Sequence, residues 1–383
     1  AHNFTIFEPN KLNNRLMRSF NWQQKDWPDF KYEFSNLEKY LFQFYDRVGH
    51  VSGILKAIPE DMQTETLLEI MVAEAIKTSE IEGEFLSRKD VLSSIKENLG
   101  LVTPTGSKDI RSEGISSLMI DVRNSFRNPL TEQSLFDWHI MLLSHVKGVE
   151  IGKWRTHPEP MQVVSGALGK EKVHFEAPPS HSVPEEMKKY IRWFNDTAPG
   201  GSKEIKSGPV RSAISHLYFE SIHPFVDGNG RIGRAIAEKA LSQGIGRPVM
   251  LSLSKTIERY KKQYYIELEK AQHSMEINSW LRYFVEMILE AQIDSENQID
   301  FTLKKVKFFD RFRNLLNERQ LTVIKRMLEE GPKGFTGGMN AKKYGSLCKV
   351  SKATATRDLQ YLLEIEALLV SGGGRSTSYS VNI

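Results

Sequence analysis

The chain has 383 residues, more than one compact core usually holds, so two or three domains are expected. Its 40% hydrophobic and 26% charged residues are typical of a globular protein and exclude a disordered, collagen-like or coiled-coil chain as a whole. No apolar run approaches the roughly 20 residues of a membrane span, and the first residues lack a signal-peptide pattern. The single cysteine, Cys348, excludes an intramolecular disulfide. We expect Cys348 to be a small buried core residue. Together these features predict a soluble cytoplasmic protein.

The charge is divided unevenly along the chain. The formal net charge is +4, yet residues 301–383 hold 15 Lys and Arg against 7 Asp and Glu. A basic C-terminal unit therefore follows an acidic body. This asymmetry is typical of a module that faces nucleic acid, but a solvated basic surface has the same composition.

The first 100 residues contain three predicted helices. Capping residues and apolar periodicity place them at about 35–55, 59–78 and 87–99. Before them, the aromatic segment around Trp22 and Trp27 is irregular, and we interpret it as packing and not as a binding site.

The middle of the chain is helical with one interruption. Residues 161–179 alternate as a β-hairpin with a Gly-rich tip. Further helices are predicted at 184–194, 209–221, 231–243, 255–271 and 277–293. Residues 294–305 are polar and lack a core pattern, so we predict a linker there.

The C-terminal segment has its own recognisable order. Helices at 318–330 and 341–347 precede a third helix that Ser351 caps, and a glycine-tipped hairpin follows at 368–381. This order resembles a winged helix-turn-helix, which would place the Ser351 helix in the major groove of duplex DNA and Arg375 near the DNA backbone. The alternative is a protein-interaction winged helix that never touches DNA. The positive charge of this segment favours DNA.

Residues 223–234, His-Pro-Phe-Val-Asp-Gly-Asn-Gly-Arg-Ile-Gly-Arg, concentrate the groups that phosphate chemistry requires. Glycines let the backbone approach an anion, and the helix predicted to follow offers unpaired N–H groups at its N-terminus. Arg231 and Arg234 are three residues apart, so one helix face directs both toward a polyphosphate. Asp227 supplies a hard oxygen for Mg²⁺, and His223 is of the residue type that most often acts as a general base.

The glycines of this stretch permit another interpretation. Gly228, Gly230 and Gly233 match the spacing of the dinucleotide-binding fingerprint, which follows a β-strand. Residues 217–222 continue a predicted helix, so this interpretation is disfavoured. A purely structural role for His223 is disfavoured as well, because the residue stands four positions before an acid and a glycine-rich loop.

Residues 223–234 resemble the Fic proteins, whose motif is His-Pro-Phe-x-Asp/Glu-Gly-Asn-Gly-Arg-x-x-Arg, and every specified position is matched. The resemblance covers roughly 60–290, and a C-terminal winged helix is a common attachment in the family. It implies a helical core that mostly transfers AMP from ATP to a protein hydroxyl. Some relatives transfer UMP, phosphocholine or, in the Doc branch, phosphate. The intact Gly-Asn-Gly-Arg sequence favours nucleotidyl transfer.

The resemblance also implies a role for each motif residue. His223 takes the proton from a Ser, Thr or Tyr hydroxyl, Asp227 binds Mg²⁺ between the phosphates, and Phe225 anchors the loop in the core. The predicted phosphate ligands are Gly228, Asn229 and Gly230 for the α- and β-phosphates, Arg231 for the β-phosphate and Arg234 for the γ-phosphate.

Two further elements of the family are matched outside the motif. The 161–179 hairpin resembles the flap that aligns a target protein segment by strand addition. Tyr264, in the Tyr-Tyr pair of a later helix, lines the adenine site in one interpretation and belongs to the core in the other.

An inhibitory motif is matched upstream. Thr78-x-x-x-Glu82-Gly83 has the pattern Ser/Thr-x-x-x-Glu-Gly/Asn of the Fic class with an N-terminal inhibitory helix. The same spacing also describes an ordinary helix end. In that class the glutamate pairs with the second motif arginine, here Arg234. The pair would occupy the γ-phosphate subsite and leave ATP bound with its α-phosphate misaligned.

Together these features predict a mostly α-helical protein with a Fic-type core, a small hairpin flap and a winged helix-turn-helix. The predicted domains are an N-terminal helical region with the inhibitory helix (1–100), the Fic core (101–295) and the winged helix (305–383). The predicted function is autoinhibited, Mg²⁺-dependent transfer of AMP to target proteins and to the chain itself. The alternatives are a DNA-binding regulator with a nucleotide-sensing core, and de-AMPylation or transfer of another phosphate-linked group by the same site. The sequence leaves the oligomeric state open, a homodimer included.

Overall fold

The computed structural model describes residues 19–103, 109–165 and 172–383, which form fourteen α-helices and four short strands. The helices are α1 Glu38–Ala57, α2 Glu60–Ile81, α3 Arg88–Asn98, α4 Ile110–Asn124, α5 Glu132–Leu143, α6 Val183–Asp196, α7 Gly208–Ile222, α8 Asn229–Ile245, α9 Leu253–Arg259, α10 Lys261–Ala271, α11 Asn278–Phe312, α12 Glu318–Leu328, α13 Ala341–Cys348 and α14 Lys352–Glu364. The strands are β1 Gln162–Ser165, β2 Lys172–Glu176, β3 Leu368–Ser371 and β4 Ser378–Val381. None of the helices formed by these residues combines the length and apolar character that a membrane crossing requires.

The chain folds into two compact units. The first comprises residues 67–292 with the described part of 1–46, and the second comprises 47–66 and 293–383. The three-domain division expected from the sequence remains a prediction.

The predicted linker at 294–305 is wrong as a loop, because α11 continues through it. Ile299 lies within this segment and is fully buried against Val51, Ile54 and Ile58 of the same unit. Those partners are more than 200 positions away in the sequence, so the local pattern gave no sign of the burial that stabilises the helix there.

Helix α7 is the centre of the first unit. All fifteen of its residues are buried, and Ser207 caps its N-terminus by accepting a hydrogen bond from the Val210 N–H. Around it packs a core of large side chains, each of which contributes about 1.5–3 kcal/mol by leaving water. Among them are Trp138, Tyr190, Phe194, Phe225 and Ile236. A helix enclosed in this way holds its C-terminal residue in a fixed position.

The predicted hairpin is present, with β1 antiparallel to β2. Gln162 pairs with Glu176, and the tip at 166–171 lies outside the described residues. Trp22 donates its indole N–H to the Glu176 carbonyl (2.6 Å). Trp27 contacts the Tyr218 ring edge-on, with centroids 5.0 Å apart. The packing role predicted for both tryptophans is confirmed.

One predicted helix is divided. The expected helix at 255–271 is two helices, α9 and α10, because the backbone leaves the helical path at Tyr260 (φ −116°, ψ 29°). Neither glycine nor proline stands at this position, so the sequence carries no signal for the break.

The C-terminal part of the second unit has the predicted order of three helices and a hairpin. Ser351 caps α14 by accepting from the Thr354 N–H, as expected. Tyr344 donates to Asp358 Oδ2 (2.8 Å), which fixes α13 against α14. Cys348 was predicted to be buried and is only partly so. The prediction for the Arg375 side chain lies outside what the structure describes.

Candidate active site

Residues 223–234 form the turn from α7 to α8 and the first turns of α8. His223 ends α7 in the left-handed conformation (φ 50°, ψ 60°). Gly228 precedes α8 with φ +83°, a backbone conformation that is strained for residues with a side chain. The Gly228 N–H donates to Asp227 Oδ1 (2.6 Å). The first N–H groups of α8 have no partner within the helix and carry its positive dipole. A helix also precedes the glycines, so the dinucleotide-fingerprint interpretation is wrong.

The loop is closed from inside by Asn229. Its side-chain Oδ1 accepts from the Phe225 N–H (2.9 Å), and its Nδ2 donates to the Phe225 carbonyl (2.8 Å). The Asn229 side chain therefore shapes the loop, and the backbone N–H is what it offers to an anion. Phe225 is fully buried, which confirms its predicted role as the anchor of the loop.

His139 of α5 supports the same loop and was missed by the sequence analysis. Its ring stacks on Phe225 with centroids 4.1 Å apart. Nδ1 accepts from the Gly152 N–H (2.9 Å), so the proton lies on Nε2, which faces the Asp227 carbonyl at 3.2 Å. Burial lowers the pKa of His139 to about 4, and the ring is neutral at physiological pH.

This lowered pKa predicts a pH-dependent stability. The unfolded chain takes up a proton near pH 6.5 while folded His139 does so near pH 4, so stability present above pH 6.5 is lost as pH falls toward 4. The loss from this residue approaches about 3 kcal/mol. Chemical unfolding at pH 7.5 and pH 4.5 should show a smaller loss for His139→Gln than for the wild type. The matched control is His181→Gln, which replaces an exposed histidine and should lose as much unfolding free energy as the wild type. Equal losses in the wild type and both variants would exclude His139 as the source of the pH dependence.

His223 faces a buried carboxylate that the sequence analysis also missed. Its Nδ1 lies 3.6 Å from Glu220 Oε2, one helical turn earlier in α7. Burial alone would raise the pKa of Glu220, but the adjacent His223 and the positive charge of Arg234 lower it below its ordinary value. Neither ring nitrogen of His223 has a hydrogen-bond partner in the described part of the chain. The carboxylate orients the imidazole, and the ring is left to accept a proton from another molecule.

Arg155 holds the backbone of His223. This buried guanidinium donates from Nε to the His223 carbonyl (2.8 Å), from Nη2 to the Pro178 carbonyl (2.5 Å) and from Nη1 to Ser180 Oγ (2.8 Å). Burial lowers the pKa of Arg155 to about 10, so it stays charged at neutral pH. Arg155 therefore ties the residue that ends α7 to the chain leaving the hairpin.

The predicted partners Glu82 and Arg234 are in contact. Glu82 Oε1 accepts from Arg234 Nη2 (2.8 Å), and the Arg234 side chain is 1% exposed. Thr78 binds the same guanidinium twice, with Oγ1 accepting from Nε (2.7 Å) and its carbonyl accepting from Nη2 (2.9 Å). Burial alone would lower the pKa of Arg234, but Glu82 and nearby tyrosines raise it further above its ordinary value. Both specified polar residues of the upstream motif thus bind one arginine.

Gly230 explains why the motif requires a glycine at that position. A Cβ placed there would lie 2.2 Å from Glu82 Oε1 and 3.1 Å from Arg234 Nη1. Only a residue without a side chain lets the Glu82 carboxylate approach the first turn of α8 so closely.

Arg231 forms an ion pair with a different acid, Glu84. Its Nη1 donates to Glu84 Oε2 (2.7 Å), and its Nη2 lies 3.6 Å from Asp227 Oδ1. The side chain is 3% exposed. Glu84 was not predicted, although it stands only two residues after Glu82.

A cavity of about 340 Å³ opens in front of the motif, lined by the loop, the two hairpin strands and α10. Of the predicted site residues, it gathers Glu82, His223, Asp227, Gly228, Asn229, Gly230, Arg234 and Tyr264. Arg231 is not among the residues that line it. Tyr264 is buried and its hydroxyl binds His216 Nε2 (2.7 Å), so this residue belongs to the core and also contributes to the cavity wall.

Asp227 is the residue suited to Mg²⁺. Its carboxylate is 37% exposed and lies at the cavity beside the N-terminus of α8. The described residues contain no group of three or more His, Cys, Asp or Glu that could hold a metal by themselves. This fits Mg²⁺, which proteins bind through one or two carboxylates with substrate phosphates completing the coordination.

The sequence profile of the Fic/DOC family matches residues 129–241. The segment that contains the motif is therefore similar to a Fic/DOC domain. A second profile, described as a domain of unknown function (DUF4172), matches residues 20–101, which include Glu82. The predicted fold is confirmed as a mostly helical protein with Fic-fold neighbours.

The named relatives of this chain are distant. The chain is 29% identical over 166 residues to the protein adenylyltransferase Fic of Nematostella vectensis, covering 43% of this chain and 34% of the relative. It is 25% identical over 219 residues to the protein adenylyltransferase fic-1 of Caenorhabditis elegans, covering 54% and 40%. These alignments span less than half the length of the curated relatives. A solved Fic family protein from Desulfovibrio desulfuricans is 17% identical with a TM-score of 0.53, over 93% of this chain and 98% of that one, which is a likeness of fold.

Proposed function

We propose that this Fic-domain protein transfers AMP from ATP to a hydroxyl group of a protein, its own chain included, and that Glu82 suppresses the reaction. The observation that carries the proposal is the arrangement around one cavity. His223, whose ring nitrogens have no hydrogen-bond partner among the described residues, lies beside Glu220 and the N-terminus of α8, and Arg234 is held by Glu82. The named adenylyltransferases among the relatives support the choice of AMP.

His223 is the general base in this proposal. The hydroxyl oxygen of the target attacks the α-phosphorus, the bond from the α-phosphorus to the bridging oxygen breaks, and pyrophosphate leaves. The hydroxyl proton passes to His223, whose imidazolium Glu220 stabilises across 3.6 Å. Arg155 keeps the ring in place by binding the His223 carbonyl.

The phosphates bind at the N-terminus of α8. The backbone N–H groups of residues 229–231 and the helix dipole stabilise the negative charge, and Arg234 is the ligand for the γ-phosphate. Mg²⁺ held by Asp227 supplies charge neutralisation at the phosphates when it is bound. As long as Glu82 occupies Arg234, the γ-phosphate has no place there and the α-phosphate is not aligned for in-line attack.

The hairpin is the proposed docking site of the target. Among the described residues, no third strand pairs with the two-stranded sheet, so an extended segment with a Ser, Thr or Tyr can add to it as a further strand. The cavity lies directly under these strands, which brings the target hydroxyl to His223.

Incubation with Mg²⁺ and ATP labelled on the α-phosphate tests the proposal. We expect the Glu82→Gly protein to become labelled with this ATP. The same protein should stay unlabelled when the ATP carries its label on the γ-phosphate. Label from the γ-position would instead indicate phosphate transfer. Loss of a preformed AMP group from modified protein, dependent on Glu82, would indicate de-AMPylation with Glu82 activating water.

Binding of duplex DNA by the C-terminal module is a second function that a specific observation favours. Four cations around the turn from α13 to α14 are exposed, and none forms an ion pair within the described residues: Lys342, Lys349, Lys352 and Arg357. Other arginines of the unit are paired, such as Arg311 with Glu366 (3.2 Å). The free cations lie where a helix-turn-helix meets DNA phosphates.

The affinity of the full chain for random duplex DNA, measured at a series of salt concentrations, tests this proposal. We expect affinity to fall steeply with salt, and Lys352→Glu and Arg357→Glu each to reduce the slope of log affinity against log salt by about 1. The matched control is Arg311→Glu, which changes an already paired cation of the same unit and should leave the slope unchanged. No complex at low salt would leave the module as a protein-interaction winged helix, and the proposed transfer would stand without it.

A further inference from the structure

The contact between Glu84 and Arg231 is as close as the contact between Glu82 and Arg234. Glu84 Oε2 lies 2.7 Å from Arg231 Nη1, against 2.8 Å for the Glu82 pair. Arg231 is 3% exposed, and its Nε is a buried donor that lacks a hydrogen-bond partner within the described ranges. An arginine with an unused buried donor has capacity for an additional anionic ligand.

One short turn places both acids. After α2 ends, the Glu84 N–H donates to the Ser79 carbonyl (2.9 Å), and Gly83 between the two acids has φ +85°. The two arginines are three residues apart on one face of α8. The spacing of the acids and that of the arginines therefore let a single turn hold both guanidinium groups.

We infer that Glu84 is a second inhibitory carboxylate, which acts through Arg231 by occupying the position of the nucleotide β-phosphate. The inference rests on the proposed function, with Arg231 as the ligand of the β-phosphate, the role that the resemblance of the motif implies. Carboxylate and phosphate oxygens compete for the same guanidinium donors, so both do not bind Nη1 at once. Arg231 does not line the cavity, in keeping with a guanidinium that Glu84 covers.

Glu84 and Glu82 have different expected effects. The Glu84 side chain is 26% exposed, so a nucleotide displaces it toward water at a modest cost in affinity. Glu82 governs the alignment of the α-phosphate and hence the catalytic step. Loss of the Glu84 charge should therefore act mainly on nucleotide affinity and KM, whereas loss of the Glu82 charge should act mainly on kcat.

The test is the dissociation constant of ADP and of AMP, measured by calorimetry with the full chain and with Glu84→Gln. ADP has a β-phosphate and AMP does not. We expect Glu84→Gln to bind ADP at least about fivefold more tightly, AMP with unchanged affinity, and Glu84→Asp to stay near the wild type. Glu80→Gln is the matched control, because its carboxylate lies on the same helix end but contacts Lys77; it should change neither constant.

The outcomes separate this inference from the proposed function. Unchanged or absent ADP binding in Glu84→Gln, or equal tightening of ADP and AMP, would overturn the role of Glu84. Thermal unfolding of the variant checks that its fold is intact. If ADP tightens selectively while no variant transfers AMP, the role of Glu84 stands and the proposed reaction is wrong.

Discussion

Replacing Glu82 with glycine is expected to raise automodification with AMP at least about tenfold. The substitution frees Arg234, which keeps its two contacts with Thr78 and gains space for the γ-phosphate. Correct alignment and a recovered arginine–phosphate contact are worth a few kcal/mol, and each ~1.4 kcal/mol is tenfold in rate. Labelling with ATP at equal protein concentrations measures the gain, and ATP affinity should change much less than the rate.

Two further variants isolate the cause of this gain. Arg234→Ala should be poorly active and should stay so when combined with Glu82→Gly, because the released partner no longer exists. Glu80→Gly, which makes the neighbouring chain equally flexible without touching Arg234, should stay at the wild-type rate. Equal labelling of wild type and Glu82→Gly would refute the inhibitory role and leave the proposed transfer standing. Strong activity in the double variant would show that Glu82 acts on something other than Arg234.

Replacing His223 with alanine in the Glu82→Gly background is expected to lower the transfer rate by ~10²–10⁴-fold, the usual cost of removing a positioned general base. ATP binding should remain nearly intact, because the phosphate ligands lie on the backbone and on α8. Calorimetry with ATP and labelling with ATP measure the two quantities separately. His181→Ala changes an exposed histidine and should affect neither. Undiminished labelling by His223→Ala would remove this residue from the mechanism.

The elements of the site that depend on local sequence were predictable. The spacing of residues 223–234 predicted the loop and the helix after it, because turn glycines and helix geometry act locally. The contact of Glu82 with Arg234, 152 positions apart, was implied by the resemblance of the pattern from Thr78 to Glu82 to the inhibitory helix of the family. The cap of α14 at Ser351 and the presence of the hairpin at 161–179 were predictable from local sequence.

The residues that support the site were missed because their partners are remote in the sequence. His139 and Arg155 reach the loop from 88 and 68 positions away, and neither stands in a motif of its own. Glu220 and Glu84 did leave a signal. The first lies one helical turn before His223, and the second lies one residue beyond a motif already identified. A search for acids within one turn of each motif residue would have found both.

The prediction of the fold also failed where the packing partners are remote in the sequence, as helix α11 shows. Residues 294–305 look polar, yet Ile299 is buried by side chains from α1. Whether a polar segment becomes a helix or a linker is decided there by tertiary packing, which local periodicity does not report.

Intact mass spectrometry of the Glu82→Gly protein after incubation with ATP and Mg²⁺ decides between AMP transfer and its alternatives. We expect a mass increase of one AMP group, absent in Glu82→Gly combined with His223→Ala and much weaker in the wild type. An increase of one phosphate group, or no adduct in Glu82→Gly, would contradict AMP transfer by this site.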